Sequence, residues 1–131
     1  MKVLALDYGS ARTGVAVSDP TGTVARPVGV VERAATEAGL ARLVELVRAE
    51  NPERIVVGLP LTLRGERGEQ AIETERFVEA LRAAVEVPIE SFDERFTTTL
   101  AGRTGSHSSE DARAAAHLLT SYLTWRSSRT S

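Results

Sequence analysis

Cysteine is absent from this chain, histidine occurs only at His107 and His117, and Lys2 is the sole lysine. Without cysteine there is no disulfide framework, no zinc–thiolate site and no thiol nucleophile. Two histidines are too few for a histidine-rich metal site. Also missing is any apolar run approaching the ~20 residues of a membrane span, so no membrane association is expected. The opening Met1-Lys2-Val3-Leu4-Ala5-Leu6 runs at once into Asp7 and a glycine-bearing turn. It reads as a buried strand and not as a signal peptide, and the expected location is the cytoplasm. Nor is there an excess of basic charge, the formal net charge being −2. Any grip on a phosphate backbone must therefore come from local arginine clusters and not from the global balance.

What the chain does have is alternation of short apolar runs with longer periodic stretches, the mark of an α/β domain. A chain of 131 residues has room for one domain, 1–131, and one core. At that size roughly 65–70% of the unfolded surface is buried without any covalent staple. Lys2–Leu6, Gly14–Ser18 and Thr23–Val31 read as three strands, the last two separated by the turn Asp19-Pro20-Thr21-Gly22. Lying so close in sequence, they should form an antiparallel meander. Thr36–Glu50 places Leu40, Leu43, Val44 and Val47 at helical spacing. Ile55–Val57 is a fourth strand, ending in Gly58-Leu59-Pro60. A loop, Leu61–Gly68, leads to a helix over Glu69–Ala84 with Ile72, Phe77, Val78 and Leu81 on its apolar face. Pro88–Phe92 is a fifth strand, running into Asp93-Glu94-Arg95. Thr97–Ser109 is weakly patterned, Asp111–Arg126 is a last helix, and the polar tail from about residue 127 to 131 is expected to fray. Three strands followed by helix–strand–helix–strand–helix is the order of a ribonuclease H-like fold. The expected sheet is five-stranded and mixed, with strands 1–3 antiparallel, strands 4 and 5 parallel to strand 1, and helices flanking it.

Ligands of open α/β sheets gather at the carboxyl ends of strands. Asp7 closes the first strand, Asp93 and Glu94 close the fifth, and Asp111 opens the last helix. Asp111 shares a helical stripe with Ala115, Leu118, Tyr122 and Trp125, a stripe that must face the sheet. A carboxylate facing the protein costs several kcal/mol, on the order of a buried charge, unless paired or bound to metal. Each acid also has an ordinary use: Asp7 as a turn former, the Asp93–Glu94 pair as a cap, Asp111 as complement to a helix dipole. Taken together they would repel one another and raise one another's pKa. A hard divalent cation relieves that conflict, and two such ions about 4 Å apart can promote phosphodiester hydrolysis without a side-chain nucleophile.

Four motifs then match a known family. Leu4-Ala5-Leu6-Asp7-Tyr8-Gly9 with Arg12-Thr13-Gly14-Val15-Ala16-Val17-Ser18-Asp19 resembles the opening motif of the YqgF/RuvX family of pre-ribosomal-RNA nucleases and Holliday-junction resolvases. Val57-Gly58-Leu59-Pro60 with Gly65, Gly68 and Glu69 is similar to its second motif. Asp93-Glu94-Arg95 with Thr97-Thr98 is similar to its third, and Asp111 with Ala114-Ala115 to its last. The resemblance implies a ribonuclease H-like fold and cleavage of nucleic acid dependent on Mg²⁺ or Mn²⁺. Family members are linked to maturation of the 16S ribosomal RNA 5′ end and to junction resolution. The chain departs from the family between the Thr-Thr pair and Asp111. That stretch is short here, and Gly102-Arg103-Thr104-Gly105-Ser106-His107-Ser108-Ser109-Glu110 carries no basic run.

The expected roles follow. Asp7 bridges two metal ions, Asp93 or Glu94 shares the first, with the longer reach favouring Glu94, and Asp111 holds the second. Arg12, Arg95 and, less directly, Arg64 are expected to contact the nucleic acid, either structured RNA or branched DNA. Gly9, Gly14, Gly58 and Pro60 shape the backbone near the site. A resolvase making symmetric cuts would act as a homodimer. Two other readings use the same residues. Asp7-x-Gly9 with Gly14 also looks like the phosphate hairpin of actin-like sugar kinases, but those close a nucleotide between two lobes. A ribonuclease H-like module that binds RNA or a partner without cutting is the alternative to catalysis.

Overall fold

In the computed structural model the described residues are 1–62, 64–96 and 108–129. They form β1 (Val3–Asp7), β2 (Arg12–Ser18), β3 (Ala25–Glu32), α1 (Glu37–Glu50), β4 (Arg54–Leu59), α2 (Glu69–Ala84), β5 (Ile89–Asp93), a 3₁₀ turn (Glu94–Phe96) and α3 (Ser108–Arg129). The sheet has the order β3-β2-β1-β4-β5. β1 is antiparallel to β2 and parallel to β4, β2 and β3 are antiparallel, and β5 is parallel to β4. The expected topology is thus the observed one. The reading of Thr97, Thr98 and the segment up to His107 lies outside the described residues, whereas Ser108 and Ser109 begin α3.

Side-chain size differs between the two faces of the sheet, and that difference sets where the helices sit. On one face Leu4, Leu6, Val15, Val17, Ile55 and Val57 join Leu43 and Val47 of α1 and Phe77, Val78 and Leu81 of α2 in one buried cluster. On the other, Val3, Ala5, Ala16 and Val56 meet Ala115, Leu118, Leu119 and Tyr122 of α3. Alternation along each strand puts Asp7 and Gly14 on the same side as Ala5 and Ala16, facing α3. Small residues on that face let α3 lie close. A Cβ built on Gly14 would fall 1.9 Å from the carbonyl oxygen of Asp111, so the start of α3 rests on bare backbone.

Local chemistry explains the helix ends. Thr36 caps α1 by accepting the N–H of Gly39, and Asn51 ends it in the left-handed region at φ 51°. β3 is an edge strand and tolerates Pro27. Its pairing slips between Val15 and Ala16, which face Gly29 and Pro27 and leave Val28 as a bulge. Two expectations are corrected. Ile72 is 38% exposed, because Ala71, Thr74, Phe77, Val78 and Leu81 form the buried stripe and Ile72 falls on the opposite side of the helix. The last helix continues past Arg126 to Arg129, whose guanidinium lies 4.9 Å from the centre of the Trp125 ring. That cation–π contact lies in the last turn of the helix.

Gly14→Ala should destabilise the protein by roughly 1–3 kcal/mol, since the added methyl meets backbone that cannot rotate away. Urea unfolding measures it; an unchanged midpoint would show that α3 does not depend on this contact. Ile72→Ser should leave the same midpoint unchanged.

Candidate functional site

The carboxyl edge of β1, β4 and β5 opens into a cleft of about 330 Å³ lined by Asp7, Tyr8, Gly9, Ser10, Pro60, Gln70, Glu73, Thr74 and Glu94. Asp7 is only 7% exposed, held at the end of a strand buried on both faces. Glu94 opens the 3₁₀ turn after β5 and folds back over β4, where Gly58 makes room for it. A Cβ on Gly58 would come within 2.9 Å of both Cγ and Oε1 of Glu94. The structure thus brings Asp7 and Glu94 to one cleft, from strands two positions apart in the sheet.

Asp93 and Arg95 are placed differently. Asp93 accepts from the Arg95 backbone N–H at 2.9 Å, from its Nε at 2.9 Å and from its Nη2 at 2.6 Å. These bonds from Arg95 hold the Asp93 carboxyl below the usual carboxylate range, against the opposing effect of burial. Neither residue lines the cleft. Arg95 also lies against Gly65, whose φ of 83° and missing side chain admit the guanidinium. The pair therefore joins the strand end to the loop before α2.

Asp111 lies in the first turn of α3 beside Gly14, the residue paired with Asp7 in the β1–β2 register. Its carboxylate does not line the cleft. Oδ2 lies 3.3 Å from Nε of Arg12, close enough for charge attraction. That oxygen is nevertheless buried and accepts no hydrogen bond among the described residues. Both statements hold because the guanidinium balances the charge without aiming an N–H at the lone pair. Arg64 is exposed, and Arg67 is engaged by Glu75, with Nε 2.9 Å from Oε1. Gly9 sits tightly over the β1–β2 turn, where a Cβ would be 2.5 Å from the Arg12 carbonyl oxygen. Asp19 lies in the turn after β2, accepting the N–H groups of Thr23 and Val24 at 2.8 Å, away from the cleft residues. His117 is exposed.

The wall supplied by α2 escaped the sequence reading. Tyr8 stacks on Phe77 with ring centres 4.5 Å apart and donates its hydroxyl to Glu73 at 2.8 Å. Burial, then the hydrogen bond to Glu73 and its charge, push the Tyr8 phenol up to about 12, so it remains a donor throughout the working range. The signal was present in the spacing of Gln70, Glu73, Thr74 and Phe77 at i, i+3, i+4 and i+7, one helix face. Nothing in the sequence tied that face to Tyr8.

Among the described residues no three His, Cys, Asp or Glu side chains gather as a ready metal cage. The donors at hand are all carboxylate oxygen, the type hard divalent cations take. Asp7 and Glu94 share a cleft, and the unsatisfied Oδ2 of Asp111 is a third oxygen with a lone pair to give. The donor set fits Mg²⁺ or Mn²⁺, the third ligand being available only if Arg12 releases it.

Comparison with known proteins agrees with this architecture. Thermus thermophilus RuvC has the same fold, with a TM-score of 0.62 at 18% identity over 98% of this chain and 97% of that one. A protein of Chloroflexus aurantiacus, provisionally named a pre-16S rRNA nuclease, is 46% identical over 99 residues. The match spans 76% of this chain and 65% of that protein, just under two thirds of its length. A protein of Desulforudis audaxviator with the same provisional name is 37% identical over 98% of this chain and 97% of its own. The sequence profile of the RuvX family, described as Holliday junction resolvase, matches residues 1–125, and the chain belongs to that family.

Proposed function

We propose that this protein is a divalent-metal-dependent nuclease that hydrolyses phosphodiester bonds in structured nucleic acid. The observation carrying this reading is the convergence of buried Asp7 and Glu94 on one cleft at the carboxyl edge of the sheet. Asp7 and Glu94 would hold the cation, and Asp111 would join them as the third carboxylate. When bound, Mg²⁺ or Mn²⁺ would supply Lewis acidity toward a phosphodiester and positive charge beside the carboxylates. Were two cations held, Asp7, Glu94 and Asp111 would all be needed to supply carboxylate oxygens to them.

The chain's own residues supply the surroundings. Tyr8, buttressed by Phe77 and Glu73, forms a firm wall and presents no free base to compete for a proton. Asp93 fixes Arg95, and through Gly65 the loop carrying Arg64, so that exposed Arg64 stands ready for a phosphate. Arg12 is a second cation near the site, at present facing Asp111. The names of the near-full-length relatives support an RNA precursor, the 5′ end of pre-16S rRNA, as the first substrate to test. The family description supports a four-way DNA junction as the other, and for that substrate a homodimer would supply two symmetric sites.

A second reading, a module that binds nucleic acid or a partner without cutting, draws on one observation: Asp111 is paired with Arg12 and does not line the cleft. A cleavage panel separates the two. Precursor-rRNA ends, single-stranded RNA and a synthetic junction are offered with Mn²⁺ or Mg²⁺. Asp7→Asn and Glu94→Gln should each lower cleavage by about 10²–10³-fold, the scale for losing one charge-stabilising group. Asp93→Asn, which acts through Arg95 alone, should lower it by about tenfold or less. Stripping metal with a chelator should abolish cleavage, and added Mn²⁺ should restore it. Binding without cleavage by the wild type under every condition would leave the module reading standing.

A further inference from the structure

The molecule contains two arginine–carboxylate pairs near the site, and they are not alike. Arg95 grips Asp93 through Nε and Nη2 at 2.9 and 2.6 Å, the two-pronged geometry of a committed pair. Arg12 meets Asp111 through Nε at 3.3 Å, and the buried Oδ2 it faces accepts no hydrogen bond among the described residues. Asp111 is thus charge-balanced but not satisfied. Its main chain is pinned, because Gly14 lies directly beneath its carbonyl. Any exchange of partners must be made by Arg12.

Arg12 has somewhere to go. It lies at the start of β2, its side chain is 30% exposed, and it lines an open groove of about 600 Å³ between β3 and the beginning of α3. Glu32, its cross-strand partner in the β2–β3 register, lines the same groove. A guanidinium that leaves Asp111 therefore meets a second carboxylate on the neighbouring strand, one strand spacing of about 4.8 Å away.

We infer that Arg12 is a place-holding counter-ion, which neutralises Asp111 in the metal-free protein and swings toward Glu32 when a divalent cation takes the carboxylate. The inference rests on the metal-dependent reading above. It makes Arg12 a positioning residue acting through Asp111. The cation and the guanidinium compete for one oxygen, so removing the guanidinium must favour the cation. Removing it must also leave a partly buried charge unpaired when no cation is present.

Calorimetric titration of the full chain with Mn²⁺ and thermal melts with and without Mn²⁺ test this without reference to cleavage. Arg12→Gln should bind Mn²⁺ roughly two- to fivefold more tightly, the scale of one partly exposed ion pair. It should melt lower than wild type without metal and regain the difference at saturating Mn²⁺. Should Arg12→Gln not fold, Asp111→Asn and the double variant Arg12→Gln/Asp111→Asn carry the test, since neither leaves a buried charge unpaired. Those two should bind Mn²⁺ equally, and an arginine effect that persists without the acid overturns the inference. Equal or weaker Mn²⁺ binding by Arg12→Gln, with the wild type binding normally, overturns it while the metal-dependent reading stands. No Mn²⁺ binding by the wild type overturns both.

Discussion

The contact between the first turn of α3 and the bare backbone of Gly14 is the constraint around which this site is built. A strand centre ordinarily keeps a helix at arm's length through its side chains. Here Gly14, Ala5, Ala16 and Gly58 leave the α3 face of the sheet shallow, and the helix settles onto it. That descent brings Asp111 within one strand of Asp7. The same face, two strands further on, gives Glu94 its berth over Gly58. Close packing and acid placement are two results of the same choice of small residues.

Electrostatics then sorts the acids by how each is compensated. Asp93 is held by several bonds from one arginine and serves to tie a strand end to a loop. Glu73 takes a phenol hydroxyl and becomes part of a wall. Oδ2 of Asp111 has charge balance but no hydrogen bond among the described residues, and a buried lone pair in that condition is open to a better partner. Sequence barely separates Asp93 from Glu94; geometry commits Asp93 to Arg95 and places Glu94 in the cleft with Asp7.

The fold was legible because its signals are local and repeated. Short apolar runs marked the strands, helical spacing marked α1 and α3, and the bounds of α2 matched the segment between Gly68 and Val85. Ile72 was misread because a lone large apolar residue outweighed Ala71 and Thr74, small residues that carry the buried stripe without advertising it. Asp7, Glu94 and Asp111 could be picked out since strand ends and a helix start are visible in one dimension. The division of labour between Asp93 and Glu94 could not, for it turns on where Arg95 reaches and on the space over Gly58. The Tyr8–Glu73–Phe77 wall was hidden for a similar reason: its members are about 65 residues apart, and only the sheet order β2-β1-β4 brings α2 beside the end of β1.

The uneven depth of the two faces also determines how much change each side of the molecule can absorb. On the α3 side, main chain meets main chain at Gly14, while around it Val3, Val56 and Phe92 pack against Leu118, Leu119 and Tyr122. On the α2 side, the cleft wall is joined through side chains, the Tyr8–Phe77 stack and the bond from Tyr8 to Glu73. A substitution is therefore felt differently on the two sides: an atom added at Gly14 strikes main chain, whereas one added at Phe77 or Glu73 meets side chains that can change rotamer.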